Sequence, residues 1–274
     1  MFEPGRASLV RPGSGMPITS RGRSVAYDPP PWRMRGRTLA LWFKLADPGE
    51  ARRHVPASVQ MDDDPVVRAR FWDMEHDALR GPSGGARPWQ RFREAVVAFP
   101  VRHGQASGDY PTYMYADDFT YIAFGREVMG WPIRDGHIEV DPEPGGGPAA
   151  GLRLGGRLRR NERTIMTASI ELTGQQVAVD DAVPPRWLAT KLITDVTGPR
   201  AQVGQLVSTG PERIDARRVW QAIGSLAFGP GMTDELEHLA PREVLDAQYW
   251  SDVDLTVGWG AVLEEVGAEV WTRG

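Results

Sequence analysis

The chain of 274 residues contains no cysteine. Disulfide staples, thiol nucleophiles and thiolate metal sites are therefore excluded, while the redox compartment stays undetermined. Lysine is nearly missing as well: of 32 basic residues only Lys44 and Lys191 are lysine. A GC-rich genome that favours arginine codons is the plainest cause. The chemical consequence holds regardless, because arginine stays protonated and cannot form an imine. Covalent amine chemistry thus has two side-chain candidates besides the terminal amine. No apolar run approaches the roughly 20 residues of a membrane-spanning helix, and the N-terminus lacks a signal-peptide core. The expectation is a soluble, cytoplasmic protein with no membrane partner.

Other absences narrow the chemistry. The net charge of −4 leaves no electrostatic footprint for nucleic acid. The five histidines, His54, His76, His103, His137 and His238, show no zinc-helix spacing. Glu75, His76 and Asp77 are consecutive, so their side chains diverge along a strand, and no metal site is expected. Gly145-Gly146-Gly147 and Gly155-Gly156 lack a phosphate-loop framework, and no serine-centred nucleophile elbow is present. No cofactor is expected.

What is present is ordinary for a globular chain: 41% hydrophobic and 25% charged residues. No repeat or linker divides it. Residues 1–30, rich in Gly, Pro, Ser and Arg, read as a flexible N-terminal arm closed by Pro29-Pro30-Pro31, and 31–274 as a single domain. Strands are expected over 38–44, 66–74, 94–101, 187–196 and 201–208, with a hairpin from 151–158 and 163–172. A short helix is expected from Asp47-Pro48, a capping residue followed by proline. Residues 213–227 and 235–239 have no clear type, and 244–262 contains alternating strand-like segments. Many short strands between Gly/Pro turns predict an α+β chain, mainly antiparallel β, as a closed barrel or a sandwich.

The chain is organised around Phe124-Gly125-Arg126-Glu127-Val128-Met129-Gly130-Trp131-Pro132-Ile133-Arg134-Asp135-Gly136. The aromatic run 113–123 before it predicts one or two strands with a tight turn at Asp117-Asp118. Gly125 then breaks the strand, and Pro132 and Gly136 predict a turn carrying Arg126 and Glu127.

This stretch resembles the acetoacetate decarboxylase family, whose pattern is a tyrosine-rich strand, Gly-Arg-Glu, then aromatic-Pro-Lys. The resemblance covers about residues 33–266, including Lys191-Leu192-Ile193, Gly198-Pro199-Arg200 and Leu239-Ala240-Pro241-Arg242-Glu243-Val244. It implies a cone-shaped β-barrel with short flanking helices, assembled as a homo-oligomer. In that family the lysine forms an imine with the substrate ketone. Its position here matches Ile133, and the neighbouring lysine matches Arg134.

The resemblance also implies site residues. A family arginine matches Arg37, where a guanidinium would clamp a substrate carboxylate in a two-pronged contact. A family glutamate matches Glu94; held in an apolar barrel, its pKa would rise and it could move protons near neutrality. A second family glutamate matches Arg70, which would favour an anionic substrate or intermediate. Arg126 and Glu127 match directly and are expected as a buried structural pair. Glu94, Arg37 and Arg134 are thus the catalytic candidates, and Tyr113, Arg126, Trp131, Ile133 and Arg70 the substrate-binding ones. Glu94, Tyr113, Arg126 and Ile133 are expected around one cavity. Trp131 beside Ile133 suggests a bulky, aromatic or polyketide-like substrate, with the loop 81–89 as a lid.

The function these residues imply is a lyase or cyclase of specialised metabolism, acting without the imine lysine. Its partner would be a small oxo-carboxylate or other enolisable carbonyl compound, turned over through an arginine-stabilised enolate with Glu94 moving the proton. Two alternatives stand beside it: imine chemistry rescued by Lys191, and a non-catalytic small-molecule-binding protein.

Overall fold

In the computed structural model, residues 27–78, 89–177, 186–197 and 200–266 are described. The expected arm up to residue 26 and most of the expected lid, 81–88, lie outside them. Thirteen strands account for most of the chain. They are β1 (Trp32–Leu45), β2 (Val67–His76), β3 (Gln90–His103), β4 (Ala106–Ala116), β5 (Ile133–Asp135), β6 (His137–Val140) and β7 (Arg153–Arg160). The remainder are β8 (Arg163–Gln176), β9 (Trp187–Thr194), β10 (Ala201–Thr209), β11 (Pro211–Phe228), β12 (Pro241–Val257) and β13 (Ala261–Glu265). Among the described residues two short α-helices interrupt them, α1 (Pro48–Ala51) and α2 (Phe119–Phe124). No helix of the described residues is long and apolar enough to cross a membrane.

The strands follow the order β13-β10-β9-β4-β3-β2-β1-β12-β11-β8-β7-β6, with β5 attached to β4. All pairings are antiparallel except those β4 makes with β5 and β9. The mainly antiparallel class is as expected, but the closed barrel is not. Among the described residues no hydrogen-bonded ladder joins β13 to β6. Instead the sheet bends until β6 lies against β2 and β3. Register shifts in β1, β11 and β12 supply part of that bend, since each bulge increases the local twist.

Both faces of the central strands are covered, so β2 and the middle of β3 are buried almost continuously rather than at alternate positions. Leu41, Phe43, Phe71, Val97, Phe99, Tyr115 and Tyr249 belong to one core. Trp72, Phe92, Val96, Met114, Phe124, Trp131, Ile133, Trp187 and Trp250 belong to the other. Register decides which face a polar residue joins. Trp72 pairs with Glu94 and Arg70 with Val96, so Arg70 and Glu94 stand diagonally on the second face.

Local signals were readable where side chains satisfy the backbone. Asp47 accepts from the Gly49 amide at 2.9 Å and opens α1, with Pro48 in its first turn. The β7–β8 hairpin turns at Asn161 and Glu162, both at positive φ. Residues 211–228 and 241–257, only partly read as strand, form two long paired strands.

The organising stretch differs from its expected form. Of the aromatic run 113–123 only the part up to Ala116 is strand; Asp118 then caps α2, accepting from the Tyr121 amide at 2.7 Å. Aromatic residues that favour strands are held helical because Tyr121 and Phe124 bury themselves in the second core. The helix widens into a π turn over Gly125–Met129 and stops at Gly130, at φ +74. Gly130 is needed twice, since a Cβ there would also lie 2.6 Å from that of Lys191. Arg126 and Glu127 are not the expected buried pair. Both are exposed on the turn: Arg126 donates to the Ile133 carbonyl at 3.1 Å, and Glu127 accepts from the Tyr27 hydroxyl.

Candidate active site

Glu94 sits in the middle of β3, 3% exposed, on the face of the second core. The Tyr121 hydroxyl donates to its Oε2 at 3.2 Å, while Oε1 has no protein partner. Burial pushes its pKa up to about 8, against the opposing pull of the Tyr121 hydrogen bond and the Arg70 charge. Glu94 therefore carries its proton at neutral pH. Because Tyr121 donates to Oε2, that proton belongs on Oε1, the oxygen that is still free.

Arg70, also 3% exposed, extends from β2 on the same face. Its guanidinium stands 6.0 Å from the centre of the Trp42 ring, and its Nε has no protein partner. Burial pulls its pKa down to about 9, helped by the like charge of Arg68 and opposed by Glu94. It is still cationic at neutral pH. Arg70 Nε and Glu94 Oε1 are thus two donors, both unpartnered, lining one cavity.

That cavity has a volume of about 30 Å³. Such a space holds on the order of two water molecules, or a group the size of a carboxylate. Trp72, Phe92, Trp131 and Trp187 supply its aromatic walls, and Met34, Met74, Pro211, Leu255 and Val257 the rest. Trp131 occupies part of the space that it was expected to widen for a bulky substrate. Trp131 donates its indole N–H to Thr209 Oγ1 at 2.8 Å and meets Trp187 edge to face at 5.0 Å. Among the described residues no cluster of three or more His, Asp or Glu side chains could hold a metal ion.

The structure brings Glu94, Arg70, Trp131 and Ile133 to one face. Ile133 is fully buried beside Gly125 and Trp131, paired with Met114 across β4 and β5. The other sequence-derived candidates lie elsewhere. Arg134 follows Ile133 along β5 and so points to the opposite side, where it meets Asp234 at 2.7 Å. Tyr113 also belongs to the first core, with its hydroxyl 2.8 Å from His54 Nδ1; His54 Nε2 in turn meets Glu50 at 3.1 Å. Arg126 is at the surface. Arg37 pairs in register with Asp73, and donates to it at 2.7 Å; the next residue, Thr38, pairs with Trp72. One step along β1 thus takes Arg37 out of the cavity.

Tyr121, Trp187 and Thr209 were not singled out as site residues by the sequence. For Tyr121 the available signal was Asp118 three positions earlier, which marks a helix start rather than a turn. Lys191 shares its face of β9 with Trp187 and Ala189. Its Nζ donates to the Val128 carbonyl at 3.2 Å, at the end of the π turn, and burial lowers its pKa. Lys44 is held in an ion pair with Asp64.

The acetoacetate decarboxylase (ADC) family model matches residues 15–266. The chain belongs to the acetoacetate decarboxylase family. It is 25% identical over 262 residues to the acetoacetate decarboxylase of Burkholderia cenocepacia (strain J2315), covering 93% of this chain and 95% of that protein. The Burkholderia vietnamiensis (strain G4) enzyme matches with the same identity and coverage. Among solved structures, the enduracididine biosynthesis enzyme MppR complexed with pyruvate superposes with a TM-score of 0.80 at 21% identity, covering 94% of this chain and 99% of that one. An acetoacetate decarboxylase-like enzyme from Sphingomonas wittichii RW1 gives 0.79 at 19% identity, over 93% of this chain and 100% of that one. These likenesses show the fold. Family membership supports an enzyme of the lyase type.

Proposed function

We propose that the protein is a lyase acting on small oxo-carboxylates through an enolate held by Arg70, with Glu94 as the proton donor. The observation that carries this reading is the pair of unpartnered donors, Glu94 Oε1 and Arg70 Nε, in a small cavity with mostly apolar and aromatic walls. Charge developing on a substrate oxygen there would meet a fixed guanidinium in surroundings that weaken it little. In a decarboxylation, the bond from the α-carbon to the carboxylate breaks and carbon dioxide leaves. The electron pair remains as the enolate, and Glu94 delivers its Oε1 proton to carbon. A resting acid that is already protonated suits this order better than a reaction opened by base removal of a proton. Arg70 keeps the part expected for it, favouring an anionic intermediate, while Arg37, paired with Asp73, takes no part in this reading.

Arg70→Met tests the reading on a panel of short 3-oxo acids, acetoacetate first, by release of carbon dioxide. Loss of the cation is expected to lower kcat/KM by about 100-fold or more. Because Arg70 opposes the rise in the Glu94 pKa, its removal should also shift the alkaline limb of the pH–rate profile upward. A wild-type protein that neither binds nor turns over any oxo acid in the panel would refute the proposal.

Lys191 is assigned a structural part, anchoring the π turn through the Val128 carbonyl. Lys191→Met is therefore expected to keep the rate within a few-fold of wild type. Borohydride added during turnover should leave Lys191 unmodified by mass spectrometry; a substrate adduct on Lys191 would replace the enolate reading with imine chemistry.

A further inference from the structure

We infer that the edge-to-face pair Trp131–Trp187 is a size filter for the Arg70–Glu94 cavity, admitting only oxo acids with the shortest side chains. The inference rests on reading that cavity as the substrate site. The four aromatic walls are not equivalent. Trp72 and Phe92 stand on the central strands β2 and β3; Trp72 is set edge-on to Trp250 at 6.3 Å, and Phe92 lies 4.3 Å from the Tyr121 ring. They form the floor from which Arg70 and Glu94 also project. Trp131 and Trp187 come instead from segment ends, Trp131 one residue after the π turn stops and Trp187 as the first residue of β9.

One threonine links the two segments. Thr209 accepts the Trp131 indole N–H and pairs across the β9–β10 ladder with Trp187. The Trp131 backbone is fixed separately, its amide donating to the Gly125 carbonyl at 2.8 Å. Behind it Gly130 packs against Lys191, which itself holds Val128. A filter discriminates by size only if its walls resist displacement, and these are held from the backbone, the indole nitrogen and the neighbouring ring. With a cavity volume of only about 30 Å³, a ring added to the ligand has no room unless an indole moves. One methylene too many is worth roughly 10–200-fold in a hydrophobic pocket that does not yield.

The test measures binding of phenylpyruvate, an aromatic 2-oxo acid, and of indole, which has no carboxylate, by isothermal titration calorimetry. Wild type is expected to bind neither at millimolar concentration. Trp187→Ala should open space on the order of 150 Å³ or more, enough for a six-membered ring, and bind both. Its affinity for phenylpyruvate should exceed that of wild type by about tenfold or more, and Arg70→Met in the same background should remove the gain for phenylpyruvate but not for indole. Trp187→Phe keeps an aromatic wall if the alanine variant does not fold, and should show a smaller gain of the same kind. Indole binding without phenylpyruvate binding would uphold the filter while overturning the assignment of Arg70 and Glu94. The filter is overturned if wild type binds phenylpyruvate as tightly as the variants, or if folded variants bind neither probe.

Discussion

Glu94→Gln is expected to lower turnover by about 100-fold or more while leaving a folded, more alkali-resistant protein. The amide keeps nearly everything the carboxylic acid does without reaction. Its oxygen can accept from Tyr121 as Oε2 does, and its nitrogen can donate from the position of Oε1. Only the transferable proton is lost, so the substitution separates proton delivery from oxyanion binding. The stability effect has a defined sign. Folding raises the Glu94 pKa from 4.5 to about 8, so the folded state binds the extra proton between those values. Its contribution to stability is complete below about 4.5 and is lost as pH rises through about 8. At alkaline pH the wild type bears an ionised buried carboxylate, at a cost on the order of 5 kcal/mol. Glutamine has no such charge. Thermal melts should therefore show the variant gaining on wild type across that window, while assays show it inactive. Full activity in Glu94→Gln would remove Glu94 from the mechanism, and loss of activity accompanied by a lower melting temperature at every pH would mark a folding defect.

Strand class and hairpins could be read from sequence because their signals are local. Asp47-Pro48 announces a helix start, and the β7 and β8 segments alternate around a turn. The stretch 117–129 could not be read this way. Its aromatic residues favour strand in isolation, and only burial of Tyr121 and Phe124 in the second core makes the helix the better outcome. The candidate site shows the same division. Glu94 and Ile133 reach one core because the family frame fixes them. Arg37 and Arg134 miss it by single positions, Arg37 beside Thr38 and Arg134 beside Ile133. On a strand a one-residue offset exchanges faces, and no composition argument resolves that. Arg70 could be named but not ranked, since its pairing diagonal to Glu94 follows from register between β2 and β3. The space beside Glu94 was not legible either: Trp131 was read as a wall of a wide site, and only the packing of its ring against Trp187 shows how narrow the cavity is.

Ile133→Lys should convert the protein from one that borohydride cannot trap into one that it labels at position 133. Ile133 is fully buried, beside Gly125 and Trp131, in the same core as the ring walls of the cavity. An amine placed there loses water around its charged form, so its pKa falls and a fraction is neutral and nucleophilic at neutral pH. Arg134 contributes little to that depression, because it lies on the other side of β5 with Asp234. Burial is the larger cause, and Arg70 adds a like charge on the same face. With a small oxo acid, the neutral amine attacks the ketone carbon and the resulting carbinolamine loses water to give an imine, which borohydride reduces to a stable secondary amine. Peptide mass spectrometry should find that adduct on residue 133 and on neither Lys44 nor Lys191. The longer side chain must displace neighbours in a packed core, so a loss of roughly 1–3 kcal/mol in stability is expected, read as a lower melting temperature. Pairing the change with Trp187→Phe gives the side chain room if the single variant is too unstable to assay. A folded Ile133→Lys protein that yields no adduct, under conditions where the same oxo acid protects the wild type from thermal unfolding, would show that position 133 does not face the bound substrate.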